Sequence, residues 1–528
     1  MRDFHLPGRS MVMSDNGMAA TSHPLASKVA IQILEAGGNA VDAALAAAVL
    51  QGMCEPQMTG IGGDMFALIQ PAGGEQIVGL NGSGRAPKGL DPERLRGQGH
   101  SAMPGGSAHA VTVPGAVDAI CRLSKDHGRL SLADVLAPAI HYAQAGVAVA
   151  PRVAFDWAEA QGNLQGAARD MFLKDGRALS PGEMFRAPKL ADTLQAIARD
   201  GRDGFYQGAI AESMVEFLRA AGGTHTLDDF DATASDYVQP ISGSYKDYEL
   251  VELPPNGQGA GAILLANILS HFDLASMDPR GTDRVHLEAE ATKLAYDARN
   301  RFVGDPDASA PYLDRMLSPE TAAGLAALID PEAPAMDRVS EVTEAVHRET
   351  IYLCVVDRDR MAVSLIYSIF SSFGSGLADP DTGILFHDRG LGFNLTPGHV
   401  NEAGPGKRPM HTIIPAMLRK GGRLLMPFGV MGGQYQSAGH VRFMSNMVDF
   451  GMDPQTAIDF PRSFPDKGQL RVERGYTDAQ RQDLAARGHD VIVPDTPIGG
   501  AQAILIDPET GTLMGASDPR KDGCALGY

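Results

Sequence analysis

The chain has 528 residues, 44% hydrophobic and 21% charged, which exceeds one ordinary core and calls for two packed regions or one large multilayer sandwich. Its net charge of −19, from 45 Lys and Arg against 64 Asp and Glu, repels phosphate backbones and argues against a nucleic-acid partner. Four widely spaced cysteines, Cys54, Cys121, Cys354 and Cys524, contain no C-x-x-C pair and read as reduced thiols, not as a disulfide or zinc framework.

Pro24 to Glu35 reads as a helix with proline in its first turn, ended by Gly37–Gly38. Asn39 then caps an Ala-rich second helix through Leu50, whose small side chains imply burial. That run, the most apolar in the chain, carries Asp42 and is too short to cross a bilayer. Met1 to Ser10 lacks an apolar core of signal-peptide length, so the expectation is a soluble, cytoplasmic protein with no membrane partner. A Gly- and Met-rich loop spans Gln57 to Asp64, and polar and helical stretches alternate from there to about Phe230. Tyr248 to Leu253 reads as a strand leading through Pro254-Pro255-Asn256-Gly257 into a helix. Asp283 is placed to cap a long helix through Phe302.

Asp330 to Glu349 is different: prolines and charges with few large apolar residues, read as a mobile polar connector. It runs straight into Thr350-Ile-Tyr-Leu-Cys-Val-Val-Asp357, which is β-rich and apolar on both faces, the pattern of a strand buried between layers. Such a junction makes sense if the chain is cut between Glu349 and Thr350.

Met361 to Ser368 is a second β-rich run. If Arg358-Asp359-Arg360 form the hairpin loop, Asp357 faces Met361 and Thr350 lies opposite Ser368 with both hydroxyls on one face. A two-residue loop would put Tyr367 there instead. A hydroxyl is a poor nucleophile without a base, and a free α-amino group with a pKa near ~8 can supply one. An N-terminal Thr350 therefore carries its own base, with Ser368 placed to orient it. On spacing alone, an ordinary Thr–Ser strand pair is the better reading.

Gly432–Gly433, after the apolar run Leu424 to Met426, offers backbone N–H groups for an oxyanion, as Gly374 and Gly376 do in a second turn; a plain strand-end turn is the simpler alternative. Gly257-Gln-Gly-Ala-Gly-Ala262 imitates a dinucleotide loop, but Pro254–Pro255 ahead of it favours a helix-start turn near the active site, and no cofactor is expected. His286 and Glu290 share a helix face, yet no third ligand completes a metal motif, and Lys293 and Arg299 suggest a solvated charged face; no metal is expected. His411 beside Thr412 is open between contact with substrate or acid catalysis and a structural loop histidine.

Ser22-His-Pro-Leu-Ala-Ser27, Gly37-Gly-Asn-Ala-Val-Asp-Ala43, Gly60-Ile-Gly-Gly-Asp64, Thr112-Val-Pro-Gly115, Gly374-Ser-Gly376, Lys407-Arg-Pro409, Gly432–Gly433 and Gly515-Ala-Ser-Asp-Pro-Arg520 occur in an order that resembles the gamma-glutamyltransferase family of N-terminal-nucleophile hydrolases over nearly the whole chain. The resemblance implies a four-layer αββα sandwich of the α/β (α+β) class. It implies cleavage into a large segment, 1–349, and a small segment, 350–528, that stay associated as a heterodimer, with a dimer of such pairs left open. It also implies Thr350 as nucleophile through an acyl-enzyme, Ser368 in place of a supporting threonine, and Gly432–Gly433 as oxyanion hole.

The departures from the family pattern fall on its glutamate-binding residues. An arginine that holds the α-carboxylate is replaced by Ser83, with Arg85 two residues away as a substitute from another angle. An asparagine becomes Phe370, an aspartate that holds the α-amino group becomes Gly392, and paired serines become His411 and Thr412. Asn81-Gly-Ser-Gly-Arg85 and Met431-Gly-Gly-Gln434 resemble the branch that includes oxamate amidohydrolase. The resulting expectation is a self-processing hydrolase of a small amide, with Phe370 favouring an acyl group shorter or more apolar than glutamate. The alternatives are a gamma-glutamyl transferase or glutathione hydrolase with a rebuilt clamp, and a non-catalytic, unprocessed relic that acts as a binding protein.

Overall fold

The computed structural model describes residue 5 and residues 8–74, 76–332 and 350–528, so the expected connector lies, from residue 333 through Glu349, outside the described residues. Two seven-stranded sheets stack on one another. Their strands, in chain order, are β1 Val12–Ser14, β2 Met18–Thr21, β3 Asp64–Gln70, β4 Val78–Gly82, β5 Asp236–Val238, β6 Ile241–Tyr245, β7 Tyr248–Glu252, β8 Ile351–Val356, β9 Ala362–Ser368, β10 Ala416–Lys420, β11 Arg423–Met431, β12 Gly500–Ile506, β13 Leu513–Ser517 and β14 Cys524–Gly527. The first sheet is ordered β14-β2-β8-β9-β3-β4-β5 and the second β1-β13-β12-β11-β10-β7-β6.

Helices α1 Pro24–Glu35, α2 Ala40–Cys54, α3 Ala116–His127 and α4 Leu132–Ala145 cover the first sheet, and α5 Gly259–Leu269, α6 Thr282–Phe302 and α7 Gln436–Val448 cover the second. Alternation along β8 shows the layering. Ile351, Leu353 and Val355 join the core under α1 and α2, whereas Tyr352, Cys354 and Val356 join the core between the sheets. The expected αββα sandwich is the fold.

Local chemistry explains the elements nearest the site. Asn39 accepts hydrogen bonds from the backbone N–H groups of Val41 and Asp42, while Asp42 accepts from that of Asn39, a reciprocal capping box. All of α2 is buried, which its alanines permit, and it runs four residues beyond the expected end at Leu50. At α6 the expectation needs two corrections. The N-cap is Gly281, with Asp283 inside the first turn, where its charge still complements the helix dipole. The expected solvated face is buried: His286, Glu290, Lys293 and Arg299 all lie under other elements, Lys293 pairs with Glu290 one turn back, and His286 and Arg299 pair with His489 and Gln258, which helix spacing does not reveal.

The β8–β9 hairpin has the three-residue loop, with Ile351 opposite Tyr367 and Val356 opposite Ala362. Asp357 and Met361 close it (N···O 3.0 Å), and Arg360 takes the left-handed conformation, φ 63°. The sheets meet closely here, since a Cβ on Gly429 of β11 would lie 2.4 Å from the Tyr352 ring. Gly429→Ala is expected to displace Tyr352 and destabilise the protein by about 1–3 kcal/mol, measured by urea unfolding.

Candidate active site

Thr350, 1% exposed, immediately precedes β8 at the first described position after residue 332. The hairpin register carries it opposite Ser368, and its hydroxyl donates to the Ser368 hydroxyl at 3.2 Å. The Ser368 oxygen also accepts the Phe370 N–H at 3.0 Å. Phe370 itself has φ 76°, a conformation that costs a non-glycine residue about 1–3 kcal/mol and marks places where the backbone is held for a purpose.

Asp64 starts β3 and pairs in register with Ser368. It is fully buried among His387 (3.0 Å), His411 (3.3 Å) and Arg389 (3.4 Å). Burial alone would raise its pKa, but His387 and His411 outweigh this and hold the carboxyl well below the usual range. Burial, followed by the Arg389 charge, lowers His411 to about 3, so its ring is neutral near pH 7; packed against Phe66 at 4.8 Å, it reads as a structural group and not an imidazolium acid. Burial lowers Arg389 to about 10, which leaves it cationic. Its guanidinium sits 4.4 Å from the Phe370 ring, and its two terminal nitrogens have no hydrogen-bond partner among the described residues. Sequence reading missed Arg389, because a lone arginine between two glycine-rich stretches carries no spacing signal.

Gly432 and Gly433 follow β11 with φ 122° and 58°, a turn open to few residues besides glycine. Gln258, at the start of α5, ties this turn to the next loop by donating to the carbonyls of Thr412 (2.6 Å) and Gly433 (3.1 Å). The glycine run at 257–262 is thus a helix-start turn beside the site. The inter-sheet contacts run in the direction that takes Thr350 toward Gly432: Ser364 donates to the Phe428 carbonyl, and Tyr352, nearer Thr350, meets Gly429. Gly374 (φ 52°) and Gly376 (φ 71°) instead pack against the carbonyls of Phe386 and Asn163.

A cavity of about 410 Å³ is lined by Phe370, Gly392, Asn401, Met410 and Gln434, among others. At Gly392 a Cβ would lie 2.5 Å from the Met410 carbonyl, so this backbone excludes an aspartate there. The Gln434 side-chain oxygen and the Thr412 hydroxyl are buried without partners among the described residues. Ser83 and Arg85 do not line this cavity, and neither do Thr350, Ser368, Gly432, Gly433, His411 or Thr412; of the expected site residues Phe370, Gly392 and Gln434 do. Ser83 is held by Asn81 (2.8 Å) and Asn256, while Arg85 is half-exposed, donates to the Gly406 carbonyl and faces Asp236 and Asp305. The described neighbours of the Arg85 guanidinium are thus the protein's own carboxylates. Glu349 lies outside the described residues.

Residues 26–528 match the family model described as gamma-glutamyltranspeptidase. A glutathione hydrolase-like YwrD proenzyme of Bacillus subtilis is 38% identical, over 98% of this chain and 99% of that one. An oxamate amidohydrolase proenzyme of Klebsiella pneumoniae is 36% identical, over 98% and 99% respectively. The crystal structure of a cephalosporin acylase from Bacillus halodurans superposes with a TM-score of 0.91 at 38% identity, covering 100% of this chain and 99% of that one.

Asp64→Asn removes the carboxylate in contact with Arg389 and leaves only the attraction of neighbouring Asp388, and a loss of about 1–3 kcal/mol in unfolding free energy is expected. Because the folded-state pKa is depressed, the wild-type contribution is complete above about pH 4 and fades only as pH falls through the lowered value. The variant should lack that acid-side decline, measured by urea unfolding between pH 3 and 7.

Proposed function

The chain belongs to the gamma-glutamyltranspeptidase family, whose members are enzymes acting on amides, and from that premise we propose that it is a self-processing hydrolase of a small amide with Thr350 as nucleophile. The observation that carries this reading is the 3.2 Å contact between the Thr350 and Ser368 hydroxyls at the head of a strand buried on both faces.

In maturation, the Thr350 oxygen attacks the Glu349 carbonyl carbon, the C–N bond between the two residues breaks to release the protonated Thr350 α-amino group and leave an ester, and water hydrolyses that ester to free the Thr350 hydroxyl and the Glu349 carboxylate. In turnover, that amine takes the hydroxyl proton as the oxygen attacks the substrate amide, then returns it to the departing nitrogen. Ser368 orients the hydroxyl, and the N–H groups of Gly432–Gly433 hold the oxyanion. Water resolves the acyl-enzyme. The segments 1–349 and 350–528 stay together as the working pair.

Three features favour a compact acyl group over glutamate. Phe370 fills a wall of the cavity, Gly392 admits no acidic side chain, and Ser83 is committed to Asn81 and Asn256. The Arg389 cation behind the Phe370 ring gives that wall a positive potential, which suits an acyl group bearing a carboxylate, as in oxamate. The second reading, gamma-glutamyl hydrolysis, draws support from the glutathione hydrolase-like name of one relative.

On a denaturing gel the mature protein should run as two bands, and Thr350→Ala as one, inactive band; an uncut but fully active wild type would refute the mechanism. Oxamate should be turned over with a kcat/KM above that of a gamma-glutamyl anilide, and strong gamma-glutamyl release would favour the second reading. Arg389→Met should lower kcat/KM for oxamate about 10-fold or more, while changing that for a neutral amide far less.

A further inference from the structure

We propose that His286, Glu290 and His489 form a binding site for one divalent transition-metal ion of zinc-like preference, joining α6 to the C-terminal part of the chain. His286 and Glu290 lie one turn apart on α6 and so share a face. His489 comes from beyond the connector, between the helix Asp478–Ala486 and the strand Asp490–Ile492. One ligand atom from each of the three lies within 4.8 Å of the other two, and Nδ1 of His286 is 2.9 Å from Nε2 of His489. A tetrahedral ion at about 2.0–2.1 Å from nitrogen and oxygen donors spaces them about 3.3 Å apart, so the imidazole pair already has nearly that spacing. The carboxylate has to close by about 1.5 Å at most. Two imidazoles and one carboxylate are a donor set suited to zinc, with the fourth position left to water.

The three residues are 1%, 2% and 7% exposed, so the donors meet out of bulk water, and the hydrogen bond between His286 Nδ1 and His489 Nε2 is the contact that an ion would replace. The groups facing this pair include Lys293, which reaches the Glu290 carboxylate at 2.7 Å, and Arg487. The Lys293 ammonium competes with an ion for that carboxylate, so this side chain limits affinity.

The site lies apart from Thr350, and its test does not depend on the proposed reaction. Tag-free, metal-stripped protein is titrated with ZnCl2 by calorimetry and with CoCl2 by visible absorption. The expected result is one ion per chain, with the d–d bands of a low-coordinate cobalt site. His489→Gln should weaken binding at least about 10–100-fold, and Lys293→Met, which keeps all three donors and removes the competing cation, should tighten it. Circular dichroism checks that both variants fold, and the Lys293→Met result stands even if His489→Gln does not. Absence of stoichiometric uptake, or uptake unchanged in both variants, would overturn the proposal.

Discussion

Strand β8 has no face turned to solvent, and most of the molecule is arranged to make that possible. Ile351, Leu353 and Val355 need the helical layer, and Tyr352, Cys354 and Val356 need the second sheet, so a chain that buries this strand must supply both. With apolar burial stabilising by about 25 cal/mol per Å², such a strand is fixed in depth as well as in register. Thr350 inherits that fixity: it sits at the head of a strand that can neither slide nor twist outward. The hydroxyl of Ser368 is equally fixed, because β9 is buried along its whole length and pairs with β3 on its far side.

Around this pair the protein places charge where water is excluded. Asp64 lies opposite Ser368 with a cation and two imidazoles close by, and one carboxylate cannot saturate them all. Arg389 meets Asp64 through Nε, while its terminal nitrogens have no acceptor among the described residues and its guanidinium lies over the Phe370 ring.

What the sequence made legible was local. The β8–β9 register follows from three loop residues and two apolar runs, and it placed Thr350 and Ser368 correctly. Asn39 and its helix were readable because caps and small residues act within a few positions. Burial by distant partners was not readable. The charges of α6 suggest a solvated face only if nothing covers them; in the fold Arg299 finds Gln258, and His286 finds His489, more than 200 positions away. Arg85, close in sequence to the lost arginine, was a natural substitute on paper, but the backbone turns it toward Asp236 and Asp305. Gly392 is legible only in three dimensions, as the place where a carbonyl leaves no room for Cβ.

The strand order has a kinetic corollary. In the first sheet β14, β8 and β9 alternate with β2 and β3, and in the second β1 and β7 flank a block drawn from beyond position 350. A polypeptide severed between 349 and 350 would therefore consist of two pieces woven through each other, neither able to complete a sheet alone. Assembly of the intact precursor is unimolecular, whereas reassembly of the severed pieces would be a second-order encounter between aggregation-prone halves. Scission would convert a reversible folder into a particle that, once melted, has no dilute route home.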